Sequence, residues 1–458
     1  MDDSERLKEI REQIAEKTRI IAEAFCQRII LVNEITSLKA KLNLPLDDYN
    51  VEKNLANQIR EICSRYGLDP AKGLRLLNLL ISESIAIQKS AYKPLLTPTT
   101  IFEESRRLEE QGSKIIHLEV GEPDLGPPQR VIDAMIKALK EGRTHYTSKF
   151  GLPELRRALA DKMSERWGAS IKPNEVLITP GGRAALTLAL SATLKLGDSA
   201  IIIEPAWPAY RKSVESLGCR ARVVHTTLEA GWEPDINEIE ELIDETTKLI
   251  ILNSPNNPTG KVLSRRTIES IIEAAAKHNI IILSDEAYTE FTYKDRYSLL
   301  AENCEKIVIG TYSKAWGMTG FRLGYLITSS ERCAAIADLA GDLYTCVPEP
   351  IQLAGLAALE CFDEVDTYVR EMKKKRDLIT SLLKPLPLEF REPEGAFYLF
   401  FKLNNGMRGE EFVEEMLKRH VALTPGSSFG NYPQFVRLSF CRPEEELREG
   451  VARMRELL

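Results

Sequence analysis

The sequence has few of the residues that build metal sites and disulfide frameworks. Its 8 cysteines are scattered, without a C-x-x-C pair, and its 5 histidines do not approach the spacing of metal ligands. No apolar run reaches the ~18 residues that a membrane helix requires, and no signal-peptide core is present. These absences argue against structural zinc and a membrane span, and they predict a cytoplasmic protein without bound metal.

The chain also has no basic block of the kind that follows a phosphate backbone. It has 61 Lys plus Arg against 68 Asp plus Glu, a net charge of -7, so we expect no nucleic-acid partner. A composition of 43% hydrophobic and 28% charged residues is typical of a globular protein. At about 150 residues per domain, the length predicts roughly three folding units.

The first ninety residues show only helical patterns. Apolar residues recur at steps of three and four from Leu7 to Leu42, as in one long amphipathic helix. Further helical patterns cover about Val51 to Tyr66 and about Pro70 to Ser90. Three helices, one of them about thirty residues long, cannot cover their own apolar stripe, so we expect this unit to dimerise.

After a predicted linker at residues 92–100, which holds two prolines and three threonines, the pattern changes. Short β-branched runs now alternate with helical patterns. The predicted strands are 175–179, 200–204, 249–253, 280–284, 306–310 and 323–328. This alternation predicts a mostly parallel sheet covered by helices, with ligands beyond the carboxyl ends of the strands.

Three loops at those strand ends carry candidate chemistry. Residues 179–183, Thr-Pro-Gly-Gly-Arg, join a strand to a helix and suit an anion. Lys314 follows a buried strand and precedes Arg322 by eight residues, and an amine with a lowered pKa there can form a Schiff base with a carbonyl. Asp285 follows an apolar run, where a carboxylate needs a cation such as a protonated pyridine nitrogen.

Together these loops resemble the fold-type I pyridoxal-phosphate enzymes, specifically the class I aminotransferases, over about residues 93–458. The motifs occur in the family's order: Gly-Gly before a helix, Asn-Pro-Thr-Gly, Asp-x-x-Tyr, and Ser-Lys followed eight residues on by Arg. The resemblance implies an α/β fold with a large and a small domain, and pyridoxal 5'-phosphate as the cofactor.

The resemblance also implies roles for individual residues. Lys314 is the Schiff-base lysine and proton shuttle, Asp285 keeps the pyridine nitrogen protonated, and Trp207 lies over the ring. The other residues implied at the cofactor are Asn257 and Tyr288 at its phenolic oxygen, and Gly182, Arg183, Ser313 or Thr311, and Arg322 at its phosphate.

Further matching positions concern the substrate and the neighbouring subunit. Arg437 stands between apolar residues on a predicted strand and needs an anionic partner, which in the family is the substrate α-carboxylate. Gly121 and Asn257 lie near that carboxylate by the same resemblance. Tyr146 corresponds to a tyrosine that reaches the cofactor phosphate of the neighbouring subunit, so we expect a homodimer.

The first unit carries cations where a core would be apolar. Arg28 interrupts the apolar stripe of the first helix, and Lys39 shares that face three turns later. Arg11 could serve the same pocket only from another subunit. Ser84 and Gln88 put polar groups on the stripe of the third helix. The alternative interpretation is a helical dimerisation module with snorkelling arginines.

Residues 4–91 resemble the all-helical chorismate mutases. Arg11 from a partner subunit and Arg28 would bind the substrate carboxylates, and Lys39 and Gln88 would donate to the ether oxygen. The remaining positions that match the family are Asp48 and Glu52, implied at the ring hydroxyl, and Ser84. Val51 stands where the family usually shows arginine, which lowers the expected affinity.

The sequence therefore predicts a bifunctional enzyme of aromatic amino-acid biosynthesis. The expected units are a helical mutase at residues 1–91, the linker, and an aminotransferase at 101–458. In the latter we expect the large domain at about 135–345, and a small domain formed by the N-terminal segment and about 346–458. The alternative is an aspartate or aromatic aminotransferase with a non-catalytic helical domain for dimerisation or effector binding. The amino donor and acceptor stay open.

Overall fold

The computed structural model describes residues 2–42, 49–90 and 96–458. The N-terminal region consists of three helices, α1 (Asp3–Leu42), α2 (Tyr49–Arg65) and α3 (Pro70–Ser90), as predicted. Asp48 and residues 92–95 of the predicted linker lie outside the described residues.

The predicted linker extends too far at its C-terminal end, because a helix begins at Pro98. Thr97 Oγ1 accepts a hydrogen bond from the Thr100 backbone N–H (3.2 Å), and Thr100 Oγ1 accepts one from the Thr97 N–H (2.9 Å). This reciprocal cap, with proline at the first helical position, fixes the start of the helix.

The three N-terminal helices share a small apolar core. Leu74, Leu77, Ile81 and Ile85 of α3 pack together with Ala56 and Ile59 of α2, and Val32 of α1 is also buried. By contrast, apolar side chains along most of α1 are exposed, including Ile14 and Ile21 at 60% each. The apolar stripe of α1 is thus not covered within one chain.

The remaining region alternates helices and strands. Its helices are α4 (Pro98–Glu110), α5 (Gln129–Lys140), α6 (Pro153–Trp167), α7 (Gly182–Thr193), α8 (Pro208–Ser216), α9 (Ile236–Leu242), α10 (Arg265–Lys277), α11 (Tyr312–Ala315), α12 (Ser330–Tyr344), α13 (Glu349–Ala358), α14 (Phe362–Leu383), α15 (Gly409–Lys418) and α16 (Glu444–Leu457). Its strands are β1 (Ile116–His117), β2 (Val176–Thr179), β3 (Ser199–Glu204), β4 (Arg220–His225), β5 (Thr247–Asn253), β6 (Ile281–Asp285), β7 (Lys306–Thr311), β8 (Gly324–Thr328), β9 (Leu388–Phe390), β10 (Tyr398–Leu403), β11 (Val421–Ala422), β12 (Thr424–Pro425) and β13 (Phe435–Ser439).

The main sheet has the strand order β2-β8-β7-β6-β5-β3-β4. Neighbouring strands are parallel except at β8, which is antiparallel to both β2 and β7. The sheet is therefore mostly parallel, as predicted, with one antiparallel strand. The six predicted strands are present with ends shifted by one or two residues. The edge strand β4 was not predicted, because Arg220 and Arg222 interrupt its apolar run.

Strand register explains why distant loops meet. Asn253 at the end of β5 pairs with Asp285 at the end of β6, and Asp285 pairs with Ile309 near the end of β7. A second sheet, in the antiparallel order β12-β13-β10-β9, contributes Arg437 from β13. None of the helices in the described residues combines the length and the apolar character of a membrane-spanning segment.

Candidate active sites

Asp285 is a buried carboxylate at the carboxyl edge of the main sheet. Its Oδ2 accepts a hydrogen bond from the Tyr210 hydroxyl (2.7 Å), and its Oδ1 accepts one from the Ala287 N–H (3.1 Å). Burial raises the pKa of Asp285 above its ordinary value. Among the described residues, no cation forms an ion pair with it within 4 Å. The site therefore suits a cationic ligand group such as a protonated ring nitrogen.

Lys314 lies in the short helix α11, directly after β7. Its Nζ donates a hydrogen bond to the Gly121 carbonyl oxygen (2.6 Å). Burial lowers the pKa of Lys314, and the charges of Arg322 and Arg437 lower it further, against opposing effects of Cys441 and Glu122. A lysine with a lowered pKa holds more neutral amine, which is the form that attacks a carbonyl.

The predicted phosphate-binding residues surround the N-terminus of α7. Gly182 begins that helix, and Thr311 Oγ1 accepts a hydrogen bond from the Ser313 N–H (3.1 Å). A Cβ at Gly181 would lie 2.5 Å from Arg322 Nη2, so glycine there allows the guanidinium to approach the helix end. Backbone N–H groups, hydroxyls and a guanidinium form a donor set that fits a phosphate.

A network of polar side chains connects Asn257 to Tyr288. Asn257 Nδ2 donates to the Tyr288 hydroxyl (3.5 Å), which is 2.8 Å from the Tyr398 hydroxyl. Asn253 Oδ1 accepts from the Asn257 N–H (2.9 Å), and Asn253 Nδ2 donates to the Asp285 carbonyl (3.0 Å). The network fixes both predicted ligands of the phenolic oxygen beside Asp285.

Arg437 is a buried cation on β13, with 3% of its surface exposed. Its guanidinium donates to Asn257 Oδ1 (2.9 Å) and to the Glu119 carbonyl, and it lies over the Tyr398 ring. Its Nε has no hydrogen-bond partner among the described residues. Burial lowers the pKa of Arg437. An anion such as a substrate carboxylate would satisfy both the charge and the open donor.

Two predicted residues lie at the periphery of this site. Trp207 lies beneath the Arg183 guanidinium, 4.9 Å from it, and meets the Tyr210 ring edge-on. Tyr146 is 87% exposed, and among the described residues no hydrogen bond or ring contact joins it to this site. Within one chain the structure thus brings together the predicted cofactor residues other than Tyr146.

Sequence reasoning missed two tyrosines of this site. The Tyr210 hydroxyl donates a hydrogen bond to Asp285, and Tyr398 contacts both Tyr288 and Arg437. Tyr210 lies in the same Pro-Ala-Trp-Pro-Ala-Tyr segment as Trp207, three residues on, so both occupy one helix start. That proximity was a usable signal. Tyr398 had none, because it comes from a strand of the second sheet.

The N-terminal helices bring three of the predicted mutase residues together. Arg28 Nη1 donates hydrogen bonds to Ser84 Oγ (2.5 Å) and to the Leu80 carbonyl (2.9 Å), and Gln88 Nε2 donates to the Ser84 carbonyl (3.2 Å). Gln88 is 4% exposed, and its Oε1 has no partner among the described residues. A buried amide oxygen without a partner is a candidate acceptor for a polar ligand group.

The other predicted mutase residues are more dispersed. Lys39 is half-buried on α1, and Arg11 lies on the exposed part of the same helix, remote from Arg28 along the axis. Glu52, in the first turn of α2, forms an ion pair with Arg220 Nη2 on β4 (2.8 Å). One chain therefore holds an incomplete set of the predicted cations around Arg28.

A cavity of about 1560 Å³ lies between helices α2 and α3 and the outer side of edge strand β4. Glu52 and Leu77 line it on one side, and Arg220 and Val223 line it on the other. It extends to Trp207. The cavity thus runs from the N-terminal helices to the segment after β3 that holds Trp207.

Comparisons with family models divide the chain in the same way as the structure does. Residues 113–454 match the model of the aminotransferases of class I and II. Residues 10–89 match the model of the type II chorismate mutases.

Individual relatives match the longer segment. An aspartate aminotransferase of Thermotoga maritima is 36% identical over 361 residues, which cover 77% of this chain and 94% of that protein. A probable aspartate/prephenate aminotransferase of Aquifex aeolicus is 33% identical over 395 residues, covering 82% and 99%. The solved structure of aspartate aminotransferase from Thermus thermophilus with maleate is similar with a TM-score of 0.77 and 32% identity, covering 81% and 98%.

Proposed function

We propose that this chain catalyses two linked reactions of aromatic amino-acid biosynthesis. The chain belongs to the aminotransferases of class I and II, and a type II chorismate mutase segment precedes its aminotransferase domain. The first reaction is the rearrangement of chorismate to prephenate. The second is the transamination of a 2-oxo acid, which is prephenate, an arylpyruvate or oxaloacetate. The observation that carries the proposal is that one chain holds both the Arg28-Ser84-Gln88 cluster and the Lys314-Asp285-Arg437 site.

The aminotransferase family uses pyridoxal phosphate, which when bound supplies the electron sink for amino-group transfer. Arg437 would orient the substrate by its α-carboxylate. Lys314 Nζ would take the proton from the substrate α-carbon and return it, a role that its lowered pKa supports. Gly182, Thr311, Ser313 and Arg322 would hold the phosphate, while the Asp285 carboxylate would face the ring nitrogen.

The mutase reaction requires no nucleophile, so the N-terminal pocket has only to fold its substrate and stabilise charge. Arg28 would bind a carboxylate, and Ser84 already fixes the position of its guanidinium. Lys39 and Gln88 would donate to the ether oxygen as its bond breaks. Glu52 would accept from the ring hydroxyl, and a partner subunit would supply Arg11.

The position of Arg183 supports a contact with a second carboxylate of the acceptor, in place of the phosphate contact that the resemblance implied. This exposed guanidinium lies over Trp207 at the mouth of the site, apart from the buried Arg437. Prephenate and oxaloacetate are both dicarboxylates. Among the relatives, one is described as a probable aspartate/prephenate aminotransferase, and another was solved with maleate.

We also propose that the protein is a homodimer. Helix α1 is 40 residues long, and its apolar side chains are exposed along most of its length. A second copy of this helix would cover that surface and would bring Arg11 to the partner's pocket. The exposed Tyr146 would likewise reach a neighbouring aminotransferase site.

The proposal is tested with purified full-length protein and two assays. Chorismate loss reports the first reaction. A panel of prephenate, arylpyruvates and oxaloacetate, each with glutamate or aspartate as donor, reports the second. Conversion of chorismate together with amination of prephenate or an arylpyruvate would support linked reactions. Activity on oxaloacetate alone would instead indicate an aspartate aminotransferase.

We expect Arg28→Ala to lower the kcat/KM for chorismate by about 10²- to 10³-fold, as is typical when one preorganised charge contact is lost. Lys39→Ala should have a loss of the same order. Transamination should not change in either variant. Arg19→Ala is the matched control, because Arg19 lies on the same helix but is exposed and paired with Glu16. Equal losses in Arg19→Ala and Arg28→Ala would contradict the assignment.

The alternative, a non-catalytic helical domain, predicts different results. If the wild-type protein leaves chorismate unchanged, while phenylalanine or tyrosine binds it and alters transamination, then the helical module is regulatory. In that case Arg28→Ala should weaken effector binding. Isothermal titration of wild type and Arg28→Ala with each amino acid separates the two interpretations.

A further inference from the structure

The mutase module contacts the aminotransferase through buried polar groups. Asn78 Nδ2 of α3 donates to the Gly197 carbonyl (2.9 Å) and to Thr246 Oγ1 (3.1 Å). Arg75 forms an ion pair with Asp198 (2.7 Å), whose side chain is 2% exposed. These contacts fix α3 against the loops before β3 and β5, at the side of the sheet that ends in β4.

One contact in this interface involves a proposed mutase residue. Arg220 begins the edge strand β4, and its Nη2 lies 2.8 Å from Glu52 Oε1. The Arg220 side chain is only 8% exposed, and that of Glu52 is 27% exposed. Both side chains also line the cavity between the modules, so a ligand in that space can reach them.

The fold places this ion pair close to the Arg28 cluster. Helices α2 and α3 are joined by a short turn and pack as antiparallel neighbours, with Ala56 against the cluster that includes Ile81. Glu52 lies one turn before Ala56, and antiparallel packing puts it level with the next turn of α3, which contains Ser84. Because Val51 is uncharged, a cation beside Glu52 comes here from the other module.

We propose that Arg220 of the aminotransferase module is a positioning residue of the mutase site, acting through Glu52. This inference rests on the proposed mutase function, in which Glu52 accepts from the substrate's ring hydroxyl. A glutamate near a helix start has several rotamers, and a largely buried ion pair selects one of them before substrate binds. Mutase activity then depends on the docked aminotransferase module.

The same interface provides a matched control. Arg60 of α2 forms a bidentate ion pair with Glu245, with N···O distances of 3.0 and 2.9 Å. This pair is more exposed, since the side chains of Arg60 and Glu245 are 35% and 40% exposed. Arg60 joins the same two modules, and its partner has no proposed catalytic role. Arg60→Ala therefore removes a docking contact, whereas Arg220→Ala removes both a docking contact and the support of Glu52.

The experiment compares full-length Arg220→Ala, Arg220→Lys and Arg60→Ala. We expect Arg220→Ala to lower the kcat/KM for chorismate by about tenfold or more, since small misplacements of a binding group are costly. Arg220→Lys should recover part of the loss, because it restores the charge. Arg60→Ala should retain mutase activity, and all three should retain transamination. Arg220→Lys also covers the case in which Arg220→Ala does not fold.

A double-mutant cycle with Glu52→Gln distinguishes positioning from docking. If Arg220 acts through Glu52, then Arg220→Ala should cause little further loss in the Glu52→Gln background. Equal effects of Arg220→Ala and Arg60→Ala, or additive effects in the cycle, would overturn this inference and leave the proposed mutase function standing. A wild-type protein that does not convert chorismate would overturn the proposed function, and this inference with it.

Discussion

Lys314→Ala is expected to abolish transamination while chorismate conversion continues at the wild-type rate. Lys314 is the proposed carrier of both the covalent link to the cofactor and the proton of the substrate α-carbon. Alanine can supply neither. Because the mutase residues lie in a separate set of helices, their activity should not depend on this amine. Initial rates of both reactions, measured on one preparation of the variant, would show whether the mutase activity is independent of Lys314.

Lys306 offers a matched control for Lys314. It lies at the opposite end of the same strand, β7, where its amine donates to the Leu300 carbonyl (3.1 Å), and burial lowers its pKa too. Lys306→Ala should retain transamination. Borohydride reduction followed by peptide mapping should find the cofactor on Lys314 in wild type. A label on Lys306 or another lysine would refute the assignment.

Residues at strand ends were predictable because parallel strands place their carboxyl ends at one edge of a sheet. Asp285 and Lys314 each follow an apolar run, so the strand pattern alone predicts that they meet. Arg28 was predictable for a similar reason, since a cation on an apolar helical stripe needs a partner. The structure supplies Ser84 as one such partner.

The contacts that were not predicted join segments without a shared pattern. Glu52 and Arg220 are 168 positions apart, and no periodicity relates a helix start to an edge strand. The strand β4 could not itself be predicted from the sequence, because its arginines break the apolar run. The start of α4 was different: Thr97 and Thr100 around Pro98 carried a capping signal that the proline-rich composition obscured.

The second large effect is expected from Asp285→Ala. We expect the transamination rate to fall by about three orders of magnitude or more, equivalent to a barrier higher by roughly 4 kcal/mol. Burial raises the pKa of Asp285, and a cationic ring nitrogen beside it would stabilise the ionised carboxylate. Alanine would leave no carboxylate to hold a proton on that nitrogen, and the bound cofactor would then be a weaker electron sink.

Glu286 is the matched control for this last variant. It is the neighbouring residue, and burial raises the pKa of its carboxyl group to about 7. This carboxyl group accepts hydrogen bonds from the Ser298 hydroxyl and the Leu299 N–H, which are not part of the proposed cofactor site. Glu286→Gln should therefore retain most of the transamination rate.

Cofactor binding should survive in Asp285→Ala, because the phosphate-binding residues are unchanged, and absorbance titration with pyridoxal phosphate would show this. A near-normal rate in a cofactor-saturated Asp285→Ala protein would be incompatible with the proposed role, and equal losses in the two variants would indicate general disruption of the strand end.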